Sequence, residues 1–414
     1  MWVWQQPRRR TVTSRTVADG SLRILLASPA YWPARAFGGP VVVARELVRR
    51  LVDRGHAVDV VTTTLVDLHE KPSRRTSVAT VDGARVHYLA TPLHYRWMGI
   101  TPTLPWWLAK LPKPDVVHIY GFRDPVTTVT AAWCRRRRIP YVFEPCGMFR
   151  RRFRKVGLKR ILDSSLYRSV PWGAEAIAVV SDLEGRDVAA RGLPRERVAV
   201  RWNGFPDPSE MPLPSGRLRN ELGIPDSAPV VLYVGRIAAG KGVEHLLEAA
   251  RQLESVHVVL VGSDDRHGTM NVVAAAQSST VTGGRVHVLP FDPVSPLWLY
   301  PEADLFVLAS AGDSFGLVAA EAAAAGTPVV VTDRAGIAGS FREGEAIVVP
   351  DDRDAVVGAV KRVLGDDSLR ARLSDGGRTA ARRNSWDRVA DVQEEIYRAV
   401  ASRTASTNDS TDGP

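Results

Sequence analysis

Cysteine is nearly absent from the chain. The 414 residues include only two cysteines, Cys134 and Cys146, which are too few for a disulfide framework and lack the spacing of a metal site. Such a chain suits a reducing compartment. Long apolar runs are also missing, because no uninterrupted apolar segment approaches the roughly 18 residues that a membrane-spanning helix needs. The sequence therefore argues against a disulfide-stabilised secreted domain and an integral membrane protein, and it favours a cytoplasmic location.

The two ends of the chain are polar. The segment Met1–Arg10 places its arginines after a very short apolar patch, which is the reverse of a secretory signal. We predict a disordered, mobile basic arm at 1–20. Because Ser, Thr, Asp and Gly dominate the end of the chain, we also predict a disordered tail at 401–414.

The net charge of +10 is concentrated in clusters at Arg135–Arg138, Arg150–Lys155 and Lys159-Arg160. A solvated basic face would explain them, and so would attraction to anionic lipid, nucleic acid or a phosphorylated substrate. No nucleic-acid-binding module accompanies the charge, so we predict no nucleic acid partner. Nearby aromatic residues favour an anionic membrane surface instead, at the inner face of the plasma membrane. They are Trp106, Trp107, Phe149 and Phe153.

Strand and helix patterns alternate along the chain, twice over. A chain of 414 residues is too long for one ordinary core, and the cluster of Pro, Ser and Gly at 206–216 divides the two series. Short apolar strands separated by helices predict an α/β fold with two doubly wound, mainly parallel sheets. We predict an N-terminal domain at 21–205, a C-terminal domain at 206–385 and a last helix at 386–400. Strands are predicted at 22–27, 57–63, 85–90, 115–119, 140–143, 175–180, 197–201, 230–234, 256–261, 286–289, 304–308, 328–331 and 346–349. Helices are predicted at 40–54, 124–136, 155–169, 181–191, 243–253, 269–278, 295–300, 316–325, 353–364 and 367–382.

Two cations follow the first strand of the second series. Gly235 permits a tight turn, and Arg236 and Lys241 can converge on one anion above the next helix. A surface arginine and a helix-start lysine are the alternative. A cation at a helix start opposes the helix dipole, however, so an anionic ligand explains the pair better than stability does.

Two acids flank a glycine turn at Asp313–Glu321. Asp313 and Ser314 could simply cap the next helix, but free backbone N–H groups at Phe315, Gly316 and Leu317 could also receive a phosphate. Glu321 lies in an almost wholly apolar helix, where an unpaired carboxylate is costly. A ligand contact or a buried ion pair would satisfy it.

Further candidates follow strands of the first series. Gly38 and Gly39 could form a phosphate-approach loop, although a simple turn also explains them. Cys146 and Gly147 follow the strand at 140–143, where packing is the better explanation for the thiol than nucleophilic chemistry. His118 suggests a structural or cleft-lining role. In the second series, Asp352 is expected to cap a helix, and no metal site is predicted.

Several motifs, in order, resemble the retaining glycosyltransferases of family 4. They are Gly235-Arg236-x4-Lys241-Gly242, the acids at 313 and 321, Ala325–Val329 and Asn203-Gly204. The resemblance extends from about Leu22 to the helix that begins at Ser385-Trp386. It implies a GT-B fold, in which two Rossmann-like domains face each other across a cleft and the last helix returns to the first domain.

The resemblance also implies residue roles. Arg236 and Lys241 would stabilise the donor diphosphate as it leaves, without a metal, and Asp313 would face the transferred sugar. Glu321 would bind the ribose. The remaining donor-binding positions would be Gly38, Gly39, Gly235, Leu289, Pro290, Ser314, Phe315, Gly316 and Leu317, and the acceptor-side positions would be His118, Cys146 and Gly147.

Two residues depart from the family pattern. Asp313 stands where glutamate is usual, and its side chain is one methylene shorter, so either the loop sits closer to the donor or the donor contact changes. Cys146 stands where many members carry histidine. The function implied is transfer of a hexose-type sugar from a nucleoside-diphosphate sugar, the co-substrate, to a hydroxyl of a glycan or lipid-linked acceptor. It fits polysaccharide, glycolipid or cell-envelope glycan synthesis. A GT-B sugar-nucleotide epimerase and a non-catalytic nucleotide-sugar-binding subunit are the alternatives.

Overall fold

The computed structural model describes most of the chain. The described residues are 20–67, 70–95, 97–149, 167–262, 271, 273–274, 277–278, 280, 282–290 and 297–409, with side chains described as far as Arg403. Several predicted features lie outside them. These are residues 1–19 of the basic arm, the basic residues 150–160 with Phe153, most of the helix predicted at 155–169, half of the helix predicted at 269–278, and residues 410–414 of the tail.

The N-terminal half forms a sheet of eight strands. Its strands are β1 (Arg23–Ala27), β2 (Ala57–Thr63), β3 (Ser77–Val81), β4 (Ala84–Leu89), β7 (Val116–Tyr120), β8 (Tyr141–Glu144), β9 (Ala176–Val179) and β10 (Val198–Val200), while β5 (Leu93–Tyr95) and β6 (Met98–Ile100) form a separate antiparallel ribbon. The strand order is β10-β9-β8-β7-β1-β2-β4-β3. Every pair is parallel except β3 with β4. The reversal of strand order next to β1 is the feature that opens a ligand crevice in sheets of this kind.

The C-terminal half forms a second, wholly parallel sheet. Its strands are β11 (Val230–Val234), β12 (His257–Val261), β13 (Val286–Leu289), β14 (Leu305–Leu308), β15 (Val329–Thr332) and β16 (Ile347–Val349). Their order is β13-β12-β11-β14-β15-β16. All five residues of β11 and all four of β14 are buried, as expected for strands that are covered on both faces.

Helices cover the two sheets. They are α1 (Gly39–Asp53), α2 (Leu104–Lys110), α3 (Pro125–Arg137), α4 (Ser169–Trp172), α5 (Asp182–Ala189), α6 (Arg217–Leu222), α7 (Val243–Gln252), α8 (Leu317–Ala325), α9 (Arg353–Leu364), α10 (Asp367–Arg383) and α11 (Trp386–Asp409). Helix α8 is mostly alanine, and its small side chains are buried against neighbouring helices. A 3-10 helix at Leu297–Glu302 packs against it.

The predicted fold class is confirmed, and the differences lie in peripheral elements. The sequence prediction missed the edge strand β3, the ribbon of β5 and β6, and the short helices α2 and α6. Strand β3 is largely exposed, so it lacks the apolar run that marked the other strands. Helix α2 begins with Leu104-Pro105, and a proline in the first turn is compatible with a helix.

The last helix returns to the N-terminal domain. Trp386, Val389, Ile396 and Tyr397 of α11 belong to the same buried cluster as the apolar residues of α1 and β1. The helix ends at Asp409 rather than at 400. Residues 401–409, which were predicted to be disordered, are therefore helical in the structure.

The chain passes between the two domains at two adjacent points. The amide of Phe205 donates to the carbonyl of Asn384 at 2.9 Å, and Phe205 pairs with Ser385 in an isolated bridge. Gly204 lies against the indole of Trp386, where a Cβ atom would come within 2.3 Å of the ring. The close approach requires glycine at position 204. It holds the first connection, at 204–205, beside the second, at 384–386.

A buried charged cluster anchors α11 to the N-terminal sheet. Arg201 and Glu144 form a salt bridge of 2.7 Å, and both side chains are completely buried. Nε2 of His118 lies 3.2 Å from Glu144, and Nδ1 of His118 lies 2.7 Å from the hydroxyl of Tyr397 on α11. The positive charge of Arg201 holds the pKa of Glu144 below its ordinary value although burial opposes this. The cluster therefore joins β7, β8 and the last helix through an ionised pair.

We expect Arg201→Met to destabilise the protein by about 3–5 kcal/mol, because removal of one partner leaves Glu144 charged in the core. Urea denaturation at neutral pH measures the loss. The double variant Arg201→Met with Glu144→Leu is the matched control, and it should be more stable than the single variant because no uncompensated charge remains. A wild-type denaturation midpoint for Arg201→Met would contradict the assigned contribution.

Candidate active site

Two adjoining cavities lie where the carboxyl ends of strands from both sheets face each other. Their volumes are about 200 Å³ and about 220 Å³. Both are lined by Cys146 from the N-terminal domain and by Lys241, Asp313 and Ser314 from the C-terminal domain. The sequence prediction placed these four residues in one site, and the structure brings them together.

The turn after β11 carries the two predicted cations. Gly242 has a φ of +73°, and a Cβ atom there would lie 1.8 Å from the carbonyl oxygen of Ala309, so only glycine allows the turn to approach β14. The hydroxyl of Tyr233 donates to the carbonyl of Arg236 at 2.7 Å. Arg236 lines the first cavity, and Lys241 lines both. Gly235, also at positive φ, lines the second.

Lys241 forms a salt bridge with Asp313. Nζ of Lys241 lies 2.8 Å from Oδ2 of Asp313, and the two side chains are 17% and 25% exposed. The pair is thus partly shielded from water but still open to the cavities. Because the lysine already has a counterion, an anionic ligand that binds Lys241 must compete with Asp313.

The Asp313–Gly316 segment, termed the 313–316 loop, leads into α8. Its backbone is hydrogen-bonded to the turn that follows β15. The amide of Gly336 donates to the carbonyl of Asp313 at 3.0 Å, and the amide of Ile337 donates to the carbonyl of Phe315 at 2.8 Å. Gly316 is the N-cap residue, and no side chain caps the helix. Capping by Asp313 or Ser314 is therefore not the reason for these residues. The first N–H groups of a helix have no acceptor within it, and Gly316, Leu317 and Val318 at the start of α8 line the second cavity.

Glu321 lies further along α8 and contacts Tyr300. The phenol hydroxyl donates to its carboxylate. Burial raises the pKa of Glu321 to about 7, although the bond from Tyr300 lowers it. Glu321 does not line either cavity. The buried partner anticipated for this carboxylate is thus a neutral phenol rather than a cation.

The loop between β1 and α1 in the N-terminal domain contacts α8, the helix that follows the 313–316 loop. Gly38 is the N-cap of α1, with a φ of +79°. Gly39 lies against Leu317, and a Cβ atom there would come within 2.9 Å of its side chain. Gly39 also lines the second cavity. The loop that was predicted to approach a phosphate therefore lies close to the C-terminal domain.

Cys146 and Gly147, termed the 146–147 turn, follow β8. Both have positive φ values of 51° and 77°. A Cβ atom on Gly147 would lie 2.7 Å from Cβ of Ser314, so the turn touches the 313–316 loop directly. Burial raises the pKa of the Cys146 thiol well above its ordinary value, and the nearby carboxylates of Glu144 and Glu184 add to the effect. A thiol of this kind is a poor nucleophile at neutral pH.

Some predicted residues lie elsewhere. His118 is fully buried in β7 and bonded to Tyr397, so it does not line the cleft. Phe149, predicted to be a surface aromatic, is 3% exposed and stacks on Phe122 at 5.2 Å. Leu289 and Pro290 end the edge strand β13 and line neither cavity. The sequence prediction placed His118 at a strand end, whereas it is the middle residue of β7; for Leu289 and Pro290 the end of β13 was located correctly.

The sequence prediction missed Ser181 and Glu184. Glu184 lines the first cavity, together with Leu183 and Asp187. A signal was available, because Ser-x-x-Glu directly after a strand is the pattern of a helix capping box. Asn203 was noted as a motif residue but not as a site residue, and it lines the second cavity.

Metal-ligating side chains do not cluster in the described part of the chain. No group of three or more His, Cys, Asp or Glu residues there could hold a metal ion. Asp352 caps α9 by accepting from the amide of Ala355 at 3.0 Å, as predicted.

Family models match both halves of the chain. The model described as glycosyl transferases group 1 matches residues 215–380, and that described as glycosyl transferase 4-like domain matches residues 38–204. The two matches are consecutive, and the junction between them lies at the connection near Phe205.

Curated relatives include an uncharacterised glycosyltransferase of Methanocaldococcus jannaschii. It is 27% identical over 396 residues, which cover 89% of this chain and 96% of the relative. A D-inositol 3-phosphate glycosyltransferase of Xylanimonas cellulosilytica is 36% identical over 193 residues, or 45% of this chain. The match spans only 46% of that relative's length.

Solved structures share the fold at low identity. Sucrose-phosphate synthase of Thermosynechococcus elongatus superposes with a TM-score of 0.72 and 21% identity, over 92% of this chain and 99% of that chain. The Anabaena protein HepE, in complex with UDP-glucose, superposes with a TM-score of 0.71 and 19% identity, over 92% and 100%. These likenesses establish the GT-B fold. Among the described residues, no helix has both the length and the apolar character needed to cross a membrane.

The raised pKa of Glu321 predicts a pH-dependent difference between wild type and Glu321→Gln. Between about pH 4.5 and pH 7 the unfolded chain releases this proton while the folded protein keeps it. Wild-type stability should therefore fall across this window relative to the glutamine variant, by at most on the order of 3 kcal/mol.

Urea denaturation of both proteins at pH 4.5, 6 and 8 measures the difference. Contributions of Asp124 and Glu184, whose pKa values are also raised to about 7 by burial, are common to both proteins and cancel. A constant stability difference across these three pH values would show that Glu321 ionises normally in the folded protein.

Proposed function

The chain belongs to the group 1 glycosyltransferases of GT-B fold, and we propose that it is a retaining, metal-independent member of family 4. Its donor would be a nucleoside-diphosphate sugar and its acceptor a hydroxyl on a glycan or a lipid-linked glycan. The observation that carries the proposal is the convergence of Arg236, Lys241 and Asp313 on one cavity between the two domains. The matched relatives are named as glycosyltransferases, which favours transfer over epimerisation or binding alone.

Arg236 and Lys241 would bind the donor diphosphate. Charge develops on the leaving phosphate as its bond to the sugar breaks, and fixed cations stabilise that charge more than they stabilise the ground state. The backbone N–H groups at the start of α8 would add neutral donors on another side of the phosphates. Gly38 and Gly39 would close the first loop over them.

Asp313 would exchange partners when the donor binds. Its salt bridge with Lys241 neutralises the lysine. A phosphate would take over the lysine, and the released carboxylate would accept hydrogen bonds from hydroxyls of the transferred sugar. Because aspartate is one methylene shorter than the family's usual glutamate, the sugar would approach the 313–316 loop more closely.

Glu321 would accept hydrogen bonds from the ribose hydroxyls. The bond to Tyr300 fixes the carboxylate and leaves its remaining acceptor capacity for the ligand. Leu289 and Pro290, at the edge of the sheet, are the proposed contacts for the base.

Transfer with retention would proceed on one face of the sugar. The acceptor oxygen would bond to the anomeric carbon on the side that the phosphate leaves, and the leaving phosphate oxygen would take the acceptor proton. This route needs no basic side chain, which fits a Cys146 thiol whose pKa is raised by burial. The 146–147 turn would serve as a wall of the acceptor site.

The proposed setting is an anionic membrane at the inner face of the plasma membrane. Arg135–Arg138 at the end of α3 are exposed. On the adjacent α2, Trp106 is 53% exposed and Nζ of Lys110 lies 3.5 Å from its ring centroid. Exposed aromatic and basic side chains on neighbouring helices suit the interface between lipid headgroups and acyl chains. Polysaccharide, glycolipid or cell-envelope glycan synthesis would supply acceptors there.

Turnover should require both cations. With a panel of nucleoside-diphosphate sugars, the purified chain should release nucleoside diphosphate in the presence of a lipid-linked or glycan acceptor. Lys241→Ala and Arg236→Ala should each lower kcat/KM by about 100-fold or more, because each removes charge stabilisation of the leaving group.

Arg334→Ala is the matched control, since Arg334 is an exposed cation outside both cavities. It should keep wild-type turnover. Absence of turnover and of nucleotide binding across the whole panel would overturn the proposed function. Near-normal turnover of both cation variants would remove their assigned role.

Flotation with vesicles tests the membrane proposal. The wild-type chain should float with anionic phosphatidylglycerol vesicles, should not float with phosphatidylcholine vesicles, and should dissociate at high salt. Trp106→Ser with Arg136→Gln should weaken binding severalfold. Leu213→Ser replaces an exposed apolar residue in the other domain and should bind as wild type does. Equal flotation with both kinds of vesicle, or with neither, would contradict the proposal.

A further inference from the structure

A capping box at the start of α5 contacts both walls of the cleft. Ser181 is the N-cap residue, and its hydroxyl accepts from the amide of Glu184 at 3.2 Å. In an ordinary capping box the glutamate would reach back to the amide of the N-cap residue. Here the carboxylate turns to Val180 and Gly147 instead.

Glu184 holds the 146–147 turn. One carboxylate oxygen accepts from the amide of Gly147 at 2.5 Å, and the other accepts from the amide of Val180 at 2.9 Å. The residue is only 3% exposed. A mostly buried carboxylate whose two oxygens accept from two backbone N–H groups fixes those groups more firmly than a solvent-exposed carboxylate would, because hydrogen bonds are stronger where the local dielectric constant is low.

Ser181 holds the opposite wall. Its hydroxyl donates to the main-chain oxygen of Ser314 in the 313–316 loop at 2.9 Å. Gly336 lies behind this contact, where a Cβ atom would come within 2.0 Å of the same Ser314 oxygen and 2.8 Å of the Ser181 hydroxyl. Gly336 thus leaves room on one side of this hydrogen bond between the two domains, where a larger residue would collide with it.

We propose that Ser181 and Glu184 are positioning residues that set the separation between two sides of the cleft. One side is the 146–147 turn, here called the acceptor wall, and the other is the 313–316 loop, here called the donor wall. The inference rests on the proposed function for its effect on catalysis. Ser181 binds the 313–316 loop, whose Asp313 would face the sugar. Glu184 binds the 146–147 turn, which would face the acceptor. The capping box of Ser181 and Glu184 would therefore align the acceptor oxygen with the anomeric carbon of the donor sugar.

Alignment of this kind affects transfer more than donor binding. A displacement of about 1 Å between reacting groups can cost about 100-fold in rate. Neither residue lies beside the proposed ribose contact Glu321, and neither is one of the cations proposed for the diphosphate. Loss of the box should thus lower transfer to the acceptor while nucleotide affinity remains.

The test compares Ser181→Ala, Ser181→Thr and Glu184→Gln with wild type. Alanine removes the bond to Ser314, whereas threonine keeps the hydroxyl. Glutamine presents an NH2 group to one of the two backbone amides and cannot accept from it. We expect kcat for transfer to fall about 10-fold or more for Ser181→Ala and Glu184→Gln. Ser181→Thr should retain most of it, and Kd for the nucleoside diphosphate should stay within about 2-fold in all three.

Two further measurements separate positioning from general damage. The ratio of donor hydrolysis by water to transfer should rise in Ser181→Ala and Glu184→Gln, because water needs no alignment by the acceptor wall. Amide hydrogen exchange should become faster at the 146–147 turn in Glu184→Gln and at the 313–316 loop in Ser181→Ala, without faster exchange in the strands of either sheet.

The outcomes distinguish this inference from the proposed function. An inactive wild-type protein would count against the proposed function, and hydrogen exchange would still test the box. An active wild type with unchanged kcat and unchanged partition in both variants would overturn the inference. Unchanged exchange at the turn and the loop would overturn it as well. Parallel loss of nucleotide affinity and of global stability would assign the box to folding alone.

Discussion

The buried salt bridge between Arg201 and Glu144 is the constraint on which much of the molecule depends. It places a full charge pair in the core of the first domain, where an unpaired charge would be prohibitively costly. Glu144 is the last residue of β8 and directly precedes the 146–147 turn, while Arg201 precedes the connection to the second domain. Through His118 the cluster reaches Tyr397 on the returning helix. One ionised pair thus connects the 146–147 turn, the domain connection and α11.

The cleft follows from where parallel strands end. Strands β8, β9, β11 and β14 are buried along their length and are mostly apolar, so the exposed polar side chains come after the strand ends. The two sheets turn these ends toward each other, and glycines at 39, 147 and 242 let backbone segments from different elements touch. The site is therefore built mainly from loops that rigid strands position, a common arrangement in proteins of this architecture.

The sequence predicted the strand ends well and the side-chain directions less well. The turn at Gly235–Gly242 and the loop at Asp313–Gly316 were identifiable, because glycines and charges after apolar strands mark them. Tyr300, the partner of Glu321, lies 21 positions upstream in a different element, and no local pattern reveals such a pairing. The orientation of His118 toward the core depends on α11, which comes 279 positions later. Ser181 and Glu184 matched a known capping pattern, but their contacts with Ser314 and Gly147 arise only when the two domains meet.

The salt bridge between Lys241 and Asp313 would select a donor that carries phosphate and sugar hydroxyls on one molecule. Free phosphate could displace Asp313 from the lysine, but the carboxylate would then face an anion without a cation of its own. A free sugar could offer hydroxyls to Asp313 but could not replace the lysine as its counterion. A molecule that carries phosphate and sugar hydroxyls at the right separation satisfies both sides at once. The pair would therefore disfavour phosphate alone and sugar alone, which are the parts into which hydrolysis would divide the proposed co-substrate.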